Sequence, residues 1–233
     1  MDSSLLDAVR AGDRRALSQA ITRVEKGDVP EVVGPESPPI VGITGPPGAG
    51  KSTLIAALID EIRARGETAA VLAVDPSSPI TGGAILGDRI RMQAHVDDAG
   101  VYIRSMATRG HLGGLSEAAG DAVTLMRLAG FDRIFVETVG VGQSEVEVMG
   151  LADVVVLVVG PSWGDQVQAD KAGVVEIADL FVVNKADRPG AAEVKRALVE
   201  AADARDAQVL LVSAVTGKGV DQVLAEIDRL ASA

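Results

Sequence analysis

The sequence predicts an α/β domain with a mostly parallel sheet, helices on both faces and a short helical arm at its N-terminal side. Three observations point there. From residue 38 onward, short apolar runs of strand length alternate with segments of helix length. Apolar residues make up 47 % of the 233 residues but aromatics only 2 %. The core is therefore Val, Ile, Leu and Ala, which suits strands buried on both faces. Finally, a glycine-rich turn, GPPGAGKS, stands between the first such strand and a helix.

The arm and its linker occupy residues 1–37. Leu5, Leu6 and Val9 suggest a first short helix. Asp13 is placed to cap a second one, in which Leu17, Ile21 and Val24 recur at helical spacing. GDVPEVVGPESPP, rich in Pro and Gly, reads as the linker, and the main domain is expected over 38–233. PIVGITG is its first strand and residues 50–65 its first helix. AAVLAVD and GVYIRSM follow as strands, separated by a long Gly/Pro/Ser-containing stretch. A helix over 115–129 carries Leu115, Ala118, Ala122, Leu125 and Ala129 on one face. RIFVET, DVVVLVV and ADLFVVN are buried strands. A helix over 190–204, the strand AQVLLVS and a helix over 218–231 complete the order.

The formal charge of −11 disfavours general binding to nucleic acid or to an anionic membrane. The absence of cysteine removes disulfides, zinc–thiolate sites and thiol nucleophiles. The first residues carry charges throughout, unlike a signal peptide, and no run has the apolar length of a membrane span. A soluble cytoplasmic or organelle-matrix protein is expected.

Gly45, Pro46, Pro47, Gly48, Ala49, Gly50, Lys51 and Ser52 fit G-x-x-x-x-G-K-[ST] between strand and helix, with Thr53 entering the helix. The glycines let backbone N–H groups turn inward around phosphates, and the helix start adds its dipole. Lys51 supplies a charge for the terminal phosphates, and the Ser52 hydroxyl is a Mg²⁺ ligand candidate. These features predict a P-loop NTPase.

Asn184, Lys185 and Asp187 follow the strand ADLFVV and match the N-K-x-D motif of P-loop GTPases. A carboxylate at Asp187 accepts from both N1–H and the 2-amino group of guanine, and adenine offers no such pair. Charge-assisted bonds contribute roughly 1.5–3 kcal/mol each, so discrimination against ATP should be large. Lys185 lays its stem along the base plane, and Asn184 ties neighbouring loops together. At the end of the next strand stand Ser213, Ala214 and Val215. In such GTPases a Ser-Ala step there turns backbone N–H toward guanine O6. The expected ligand is GTP or GDP.

Ser52, Asp75, Asp88 and Glu137 are the oxygen donors available to Mg²⁺. The ion keeps phosphates and waters in its shell, so not all four touch it directly. Glu137-Thr-Val-Gly140 stands where many GTPases carry D-x-x-G. Gly140 is then a γ-phosphate amide, and Glu137, one methylene longer than Asp, favours contact through water. Asp75 ends its strand beside the phosphate-loop strand in this reading, placed for metal or attacking water; the alternative is a turn-opening Asp before Pro76. Asp88 lies near Gly82, Gly83 and Gly87 in a segment able to close over the γ-phosphate; the alternative is an N-cap for RIRMQ. His95 and His111 are isolated and read as non-ligands. Arg109 is either a phosphate or partner contact or a solvated loop arginine. Trp163 is either a partner anchor or a cap on the core.

The stretches RRALSQAITRVE, VGITGPPGAGKSTL, VLAVDPSSPITGGAILGDRIRM, TRGHLGGLS, FVETVGVGQSE, GDQVQADKAGVVEIADLFVVNKAD and SAVTGKGV resemble the methylmalonyl-CoA mutase-associated GTPases of the MeaB/ArgK group. The resemblance runs from about residue 12 to the end. It implies a G-protein chaperone that uses GTP hydrolysis to gate cofactor loading onto an adenosylcobalamin-dependent acyl-CoA mutase and to protect that enzyme. It makes Asp75, Asp88 and Glu137 the Mg²⁺-associated carboxylates, with Lys51 as the fourth catalytic group. It also makes 76–95 and 138–150 the two nucleotide switches and PSWGDQVQADKAG a further switch that senses the mutase. Gln143 lies within reach of the γ-phosphate in that picture. Longer members carry a C-terminal helical extension used in dimer formation. The sequence ends at GVDQVLAEIDRLASA, so the expectation is a monomer or a homodimer through another face.

Three rivals remain. A metal-delivery GTPase needs Cys or His clusters, which the sequence lacks. A kinase-like phosphotransferase needs an acceptor pocket. A nucleotide-dependent interaction module would turn over slowly whatever its partner.

Overall fold

The computed structural model describes residues 1–30, 32, 38–75, 95, 97–107, 114–138, 143–163, 174–202 and 207–232. Two helices come first, α1 (Ser3–Arg10) and α2 (Arg14–Val24). Asp13 caps α2 as its position predicts, accepting from Arg15 N at 2.8 Å and Ala16 N at 3.0 Å. The main run is β1 (Ile40–Thr44), α3 (Lys51–Ala64), β2 (Ala69–Asp75), β3 (Val101–Ala107), α4 (Gly114–Leu128), β4 (Arg133–Thr138) and α5 (Gln143–Met149). It continues through β5 (Val154–Val159), a 3₁₀ turn (Pro161–Trp163), α6 (Val174–Ile177), β6 (Leu180–Val183), α7 (Ala191–Ala202), β7 (Gln208–Leu211) and α8 (Val220–Leu230).

The seven strands form one sheet in the order β3-β2-β4-β1-β5-β6-β7, and every pairing is parallel. Strand alternation sends one set of side chains to each face. Val41, Ile43, Val71, Phe135, Val156 and Val182 pack under α3 and α8. Leu72, Val74, Ile134 and Val136 face α1, α2 and α4, whose Leu6, Leu17, Ile21, Leu125 and Met126 complete that layer. Further along the same face, Leu157, Val159, Phe181 and Val183 pack with Val194 and Leu198 of α7. Each fully buried Leu or Ile contributes about 1.5–3 kcal/mol, so both faces are needed for a stable sheet.

One expectation changes here, and one open alternative is decided. β2 is not beside β1, because β4 lies between them. The crossover from β1 through α3 skips one place, and β4 enters that place later, so neighbours along the chain are not neighbours in the sheet. Asp75 therefore ends a strand two places from the phosphate-loop strand, paired through backbone register with Ala107. Trp163 is 4 % exposed and packs with Leu157, Val159 and Phe181. It caps the core and is not a surface anchor.

The chain order reverses around β1: α3 leads outward to β2, whereas α5 carries β4 across to β5 on the other side. A crevice at the carboxyl ends of the strands follows from such a reversal. Among the described residues no helix is long and apolar enough to cross a membrane.

Candidate functional site

The turn after β1 is shaped by its glycines. Gly45, Gly48 and Gly50 have φ of +142°, +78° and +95°, a region that favours glycine. Gly45 also passes so close to β5 that a Cβ there would overlap the Val158 carbonyl oxygen. Gly50 is the N-cap of α3 and supplies no side-chain hydrogen bond to it. The first amides of α3 thus have no capping side chain, which is the arrangement that receives an anion at a helix start. Lys51 Nζ, buried at 5 % exposure, donates to Gly45 O at 2.7 Å and Pro46 O at 3.2 Å. Its ammonium is thereby folded over the mouth of the turn.

Glu137 pairs in register with Ile43, on the strand adjacent to β1. It meets the first turn of α3, where Ser52 Oγ donates to Glu137 Oε1 at 2.7 Å. Both residues are buried. Thr138 Oγ1 donates to Thr44 Oγ1 at 3.2 Å and ties the ends of the same two strands. Of the four predicted metal-associated residues, Ser52 and Glu137 are brought together. Asp75 is placed by its backbone alone, since its side chain lies outside the described residues. Asp88 and Gly140 lie outside them too, as do Gly82, Gly83, Gly87, Arg109, His111 and the Gln143 side chain. Among the described residues no cluster of three or more His, Cys, Asp or Glu is present. His95 is buried, with Nε2 3.4 Å from Asp60 Oδ1.

The N-K-x-D residues follow β6 and meet the same turn. Asn184 is buried, and its Nδ2 donates to Ala49 O at 3.0 Å and Gly50 O at 3.3 Å. Its Oδ1 accepts from Lys185 N at 2.7 Å and Ala214 N at 3.1 Å. One side chain thus uses both ends of its amide to join three segments. Lys185 is a non-glycine residue at φ +59°, and its Nζ donates to Gly48 O at 2.5 Å. The sequence reading gave this lysine a stem role only. Its ammonium contact was not legible, because it depends on where the turn after β1 sits. Asp187 Oδ1 accepts from Ser213 Oγ at 2.6 Å. That bond, with a smaller contribution from Asp187's own amide, holds the exposed carboxyl below its ordinary value of 3.8. Asp187 thus stays ionised to a lower pH than an unpaired aspartate. Ala214 and Val215 follow, Ala214 buried and Val215 exposed. A cavity of about 420 Å³ opens beside residues 46–49, bounded by Trp163 and Lys185.

The turn after β1, the residues after β6 and those after β7 therefore converge at one end of the sheet. This arrangement can hold a chain of phosphates at the start of α3 and a donor-bearing base at Asp187.

A Pyrococcus horikoshii protein named as a GTPase is 58 % identical over 194 residues, which are 80 % of this chain and 61 % of that protein. GTPase ArgK of Escherichia coli is 38 % identical over 236 residues, 92 % of this chain and 71 % of that one. The chain thus spans about three fifths of the length of the first of these relatives. Among solved structures, a LAO/AO transport system kinase superposes with a TM-score of 0.73 at 28 % identity, covering 99 % of this chain and 74 % of that chain. The hydrogenase maturation factor HypB of Archaeoglobus fulgidus superposes with a TM-score of 0.64 at 18 % identity over 98 % of both chains, a likeness of fold. The profile of the methylmalonyl-CoA mutase-associated GTPase MeaB matches residues 35–233, and the chain belongs to that family.

Proposed function

We propose that this chain binds GTP together with Mg²⁺ and hydrolyses it to GDP and phosphate, as a G-protein chaperone of an adenosylcobalamin-dependent acyl-CoA mutase. The observation that carries the nucleotide reading is the Asn184 node, which links the turn at Ala49 to the residues around Asp187 and Ala214. Family membership supports the mutase as client.

In this reading the turn amides and the start of α3 bind the phosphates, and Lys51 leaves the Gly45 and Pro46 carbonyls to stabilise charge on the transferring phosphoryl group. Asp187 reads N1–H and the 2-amino group of guanine. Ser213 donates to that carboxylate and holds its titration below the ordinary value, and the amides at 214–215 serve O6. The metal fits the donors present: a hydroxyl and a carboxylate, both oxygen, stand side by side next to Lys51. The chemistry that Mg²⁺ would supply there is neutralisation of charge on the phosphates. Ser52 and Glu137 would hold it, with Asp75 and Asp88 as further candidates in its surroundings. Gly140 is proposed as a γ-phosphate amide. We place the reaction in the cytoplasm and the domain boundary near residue 38.

The name of the superposed kinase keeps phosphotransfer as the second reading. Turnover of GTP with and without candidate mutases tests both. The chaperone reading predicts free phosphate, released faster with the right mutase. Phosphate appearing on an acceptor molecule supports the kinase, and turnover that no mutase changes counts against the chaperone role.

A further inference from the structure

A second cavity, of about 440 Å³, lies at the far edge of the sheet, between the first turn of α2 and β3. β3 is three places from β1, so the cavity stands apart from the nucleotide site. One wall is basic: Arg14 and Arg15, with His95 beside them. The other is the edge strand β3 at Val101, Tyr102 and Ile103, which presents the Tyr102 ring on the α2 side, while Val101 and Ile103 pack toward α3. Acidic residues outnumber Lys and Arg by 33 to 22 in this sequence, yet among the described residues no acid lines the cavity.

Among the described residues nothing neutralises the positive charge there. Arg14 donates to two neutral oxygens, the Asp98 carbonyl at 3.0 Å and the Val101 carbonyl, and its guanidinium lies 5.9 Å from the Tyr102 ring centre. Among the described residues neither Arg14 nor Arg15 forms an ion pair. The nearby carboxylates are otherwise engaged. Asp13 caps α2, Asp98 accepts from Arg63 Nε at 2.9 Å and Gly100 N at 2.7 Å, and Asp60 faces His95. Tyr102 and Ser18 add hydroxyls, 3.1 Å apart.

We infer that this cavity is a second binding site, for a small organic phosphate. Two consecutive arginines without acid partners among the described residues match the double charge of a phosphate monoester, and their planar forks suit its oxygens. The volume exceeds what the head group needs, and the Tyr102 ring offers a surface for an aromatic body. Arg14 is held in place by backbone carbonyls and so costs little to order. Arg15 is exposed and free to close over the ligand.

Tyr102 is the only tyrosine, so the full chain made with 3-fluorotyrosine gives one ¹⁹F resonance, from this cavity. The probe is phenyl phosphate, added with Mg²⁺ and GDP present so that the phosphate loop is already filled. The site predicts a saturable shift in the millimolar range or below, and an affinity about tenfold weaker in Arg15→Ala. Inorganic phosphate should bind more weakly than phenyl phosphate, and phenol should give no saturable shift. Arg15 is exposed on a helix where alanine is well tolerated, so the variant folds. No saturable shift with phenyl phosphate, or an equal shift in Arg15→Ala, overturns the site. Benzoate binding as tightly as phenyl phosphate overturns the phosphate assignment.

Discussion

Asn184 Nδ2 donates to the Ala49 carbonyl oxygen at 3.0 Å across 135 positions of the chain, and its Oδ1 accepts from Ala214 N at 3.1 Å. With Lys185 Nζ on Gly48 O, this buried amide ties the turn after β1 to the residues that follow β6 and β7. Asn184→Ala leaves buried backbone donors and acceptors without partners, each costing about 1–3 kcal/mol. We expect a loss of about 2–4 kcal/mol in urea unfolding and a GDP affinity at least about a hundredfold weaker by calorimetry. Unchanged affinity would show that the two halves of the site are positioned by other contacts.

Gly45→Ala should damage the fold as well as the site. The new methyl overlaps the Val158 carbonyl oxygen on a central strand, and φ of +142° is unfavourable for alanine. The expected cost is about 3 kcal/mol or more. Gly48→Ala is the control: its φ is +78° but nothing lies within 4 Å of the added Cβ, so the loss should be about 1 kcal/mol. Equal thermal midpoints for the two variants would contradict this account.

Glu137→Gln keeps the shape that meets Ser52 Oγ and removes the charge. The apo protein should unfold at nearly the same urea concentration. GTP turnover should fall by at least about tenfold and need more Mg²⁺ for half-maximal rate. A wild-type magnesium titration curve in this variant would remove Glu137 from the metal's surroundings.

Ser213→Ala tests the Asp187 carboxylate. The Ser213 hydroxyl lowers this carboxyl below 3.8 in the folded protein. A depressed folded value contributes above the unfolded one and is lost as pH falls through the folded one. The wild type should keep its ionised acceptor to a lower pH than the variant. NMR titration of the Asp187 carboxyl should therefore show a higher midpoint in Ser213→Ala, with GDP affinity failing earlier on acidification. Coincident titrations would mean that the hydroxyl does not tune the carboxylate.

Much of this site was legible because its parts are local. GPPGAGKS specifies its own turn through the positive φ of Gly45, Gly48 and Gly50, although Gly45 also answers the close approach of β5. NKAD and SAV follow strands that their Val- and Leu-rich composition announces. What was not legible depends on how distant segments meet. Asp75 was expected beside the phosphate-loop strand, but the pairing of β4 with β1 is set by the crossover and by burial on both faces. Trp163 reads in the sequence as either partner anchor or core cap, because the apolar wall of Leu157, Val159 and Phe181 that receives it forms only when β5 and β6 pair. Nothing in RRALSQ indicated that Arg14 would lie over Tyr102, a pair 88 positions apart in number but adjacent in space.

The central claim is that one crevice grips guanine at Asp187 and a magnesium-bound phosphate chain at Lys51. Calorimetric titration of the protein with GDP and with ADP, magnesium supplied, tests it most directly. The account predicts clear heat and saturation for GDP and at least about a hundredfold weaker binding for ADP, a preference that Asp187→Asn reduces. No heat for GDP, or equal affinity for the two nucleotides, would contradict it.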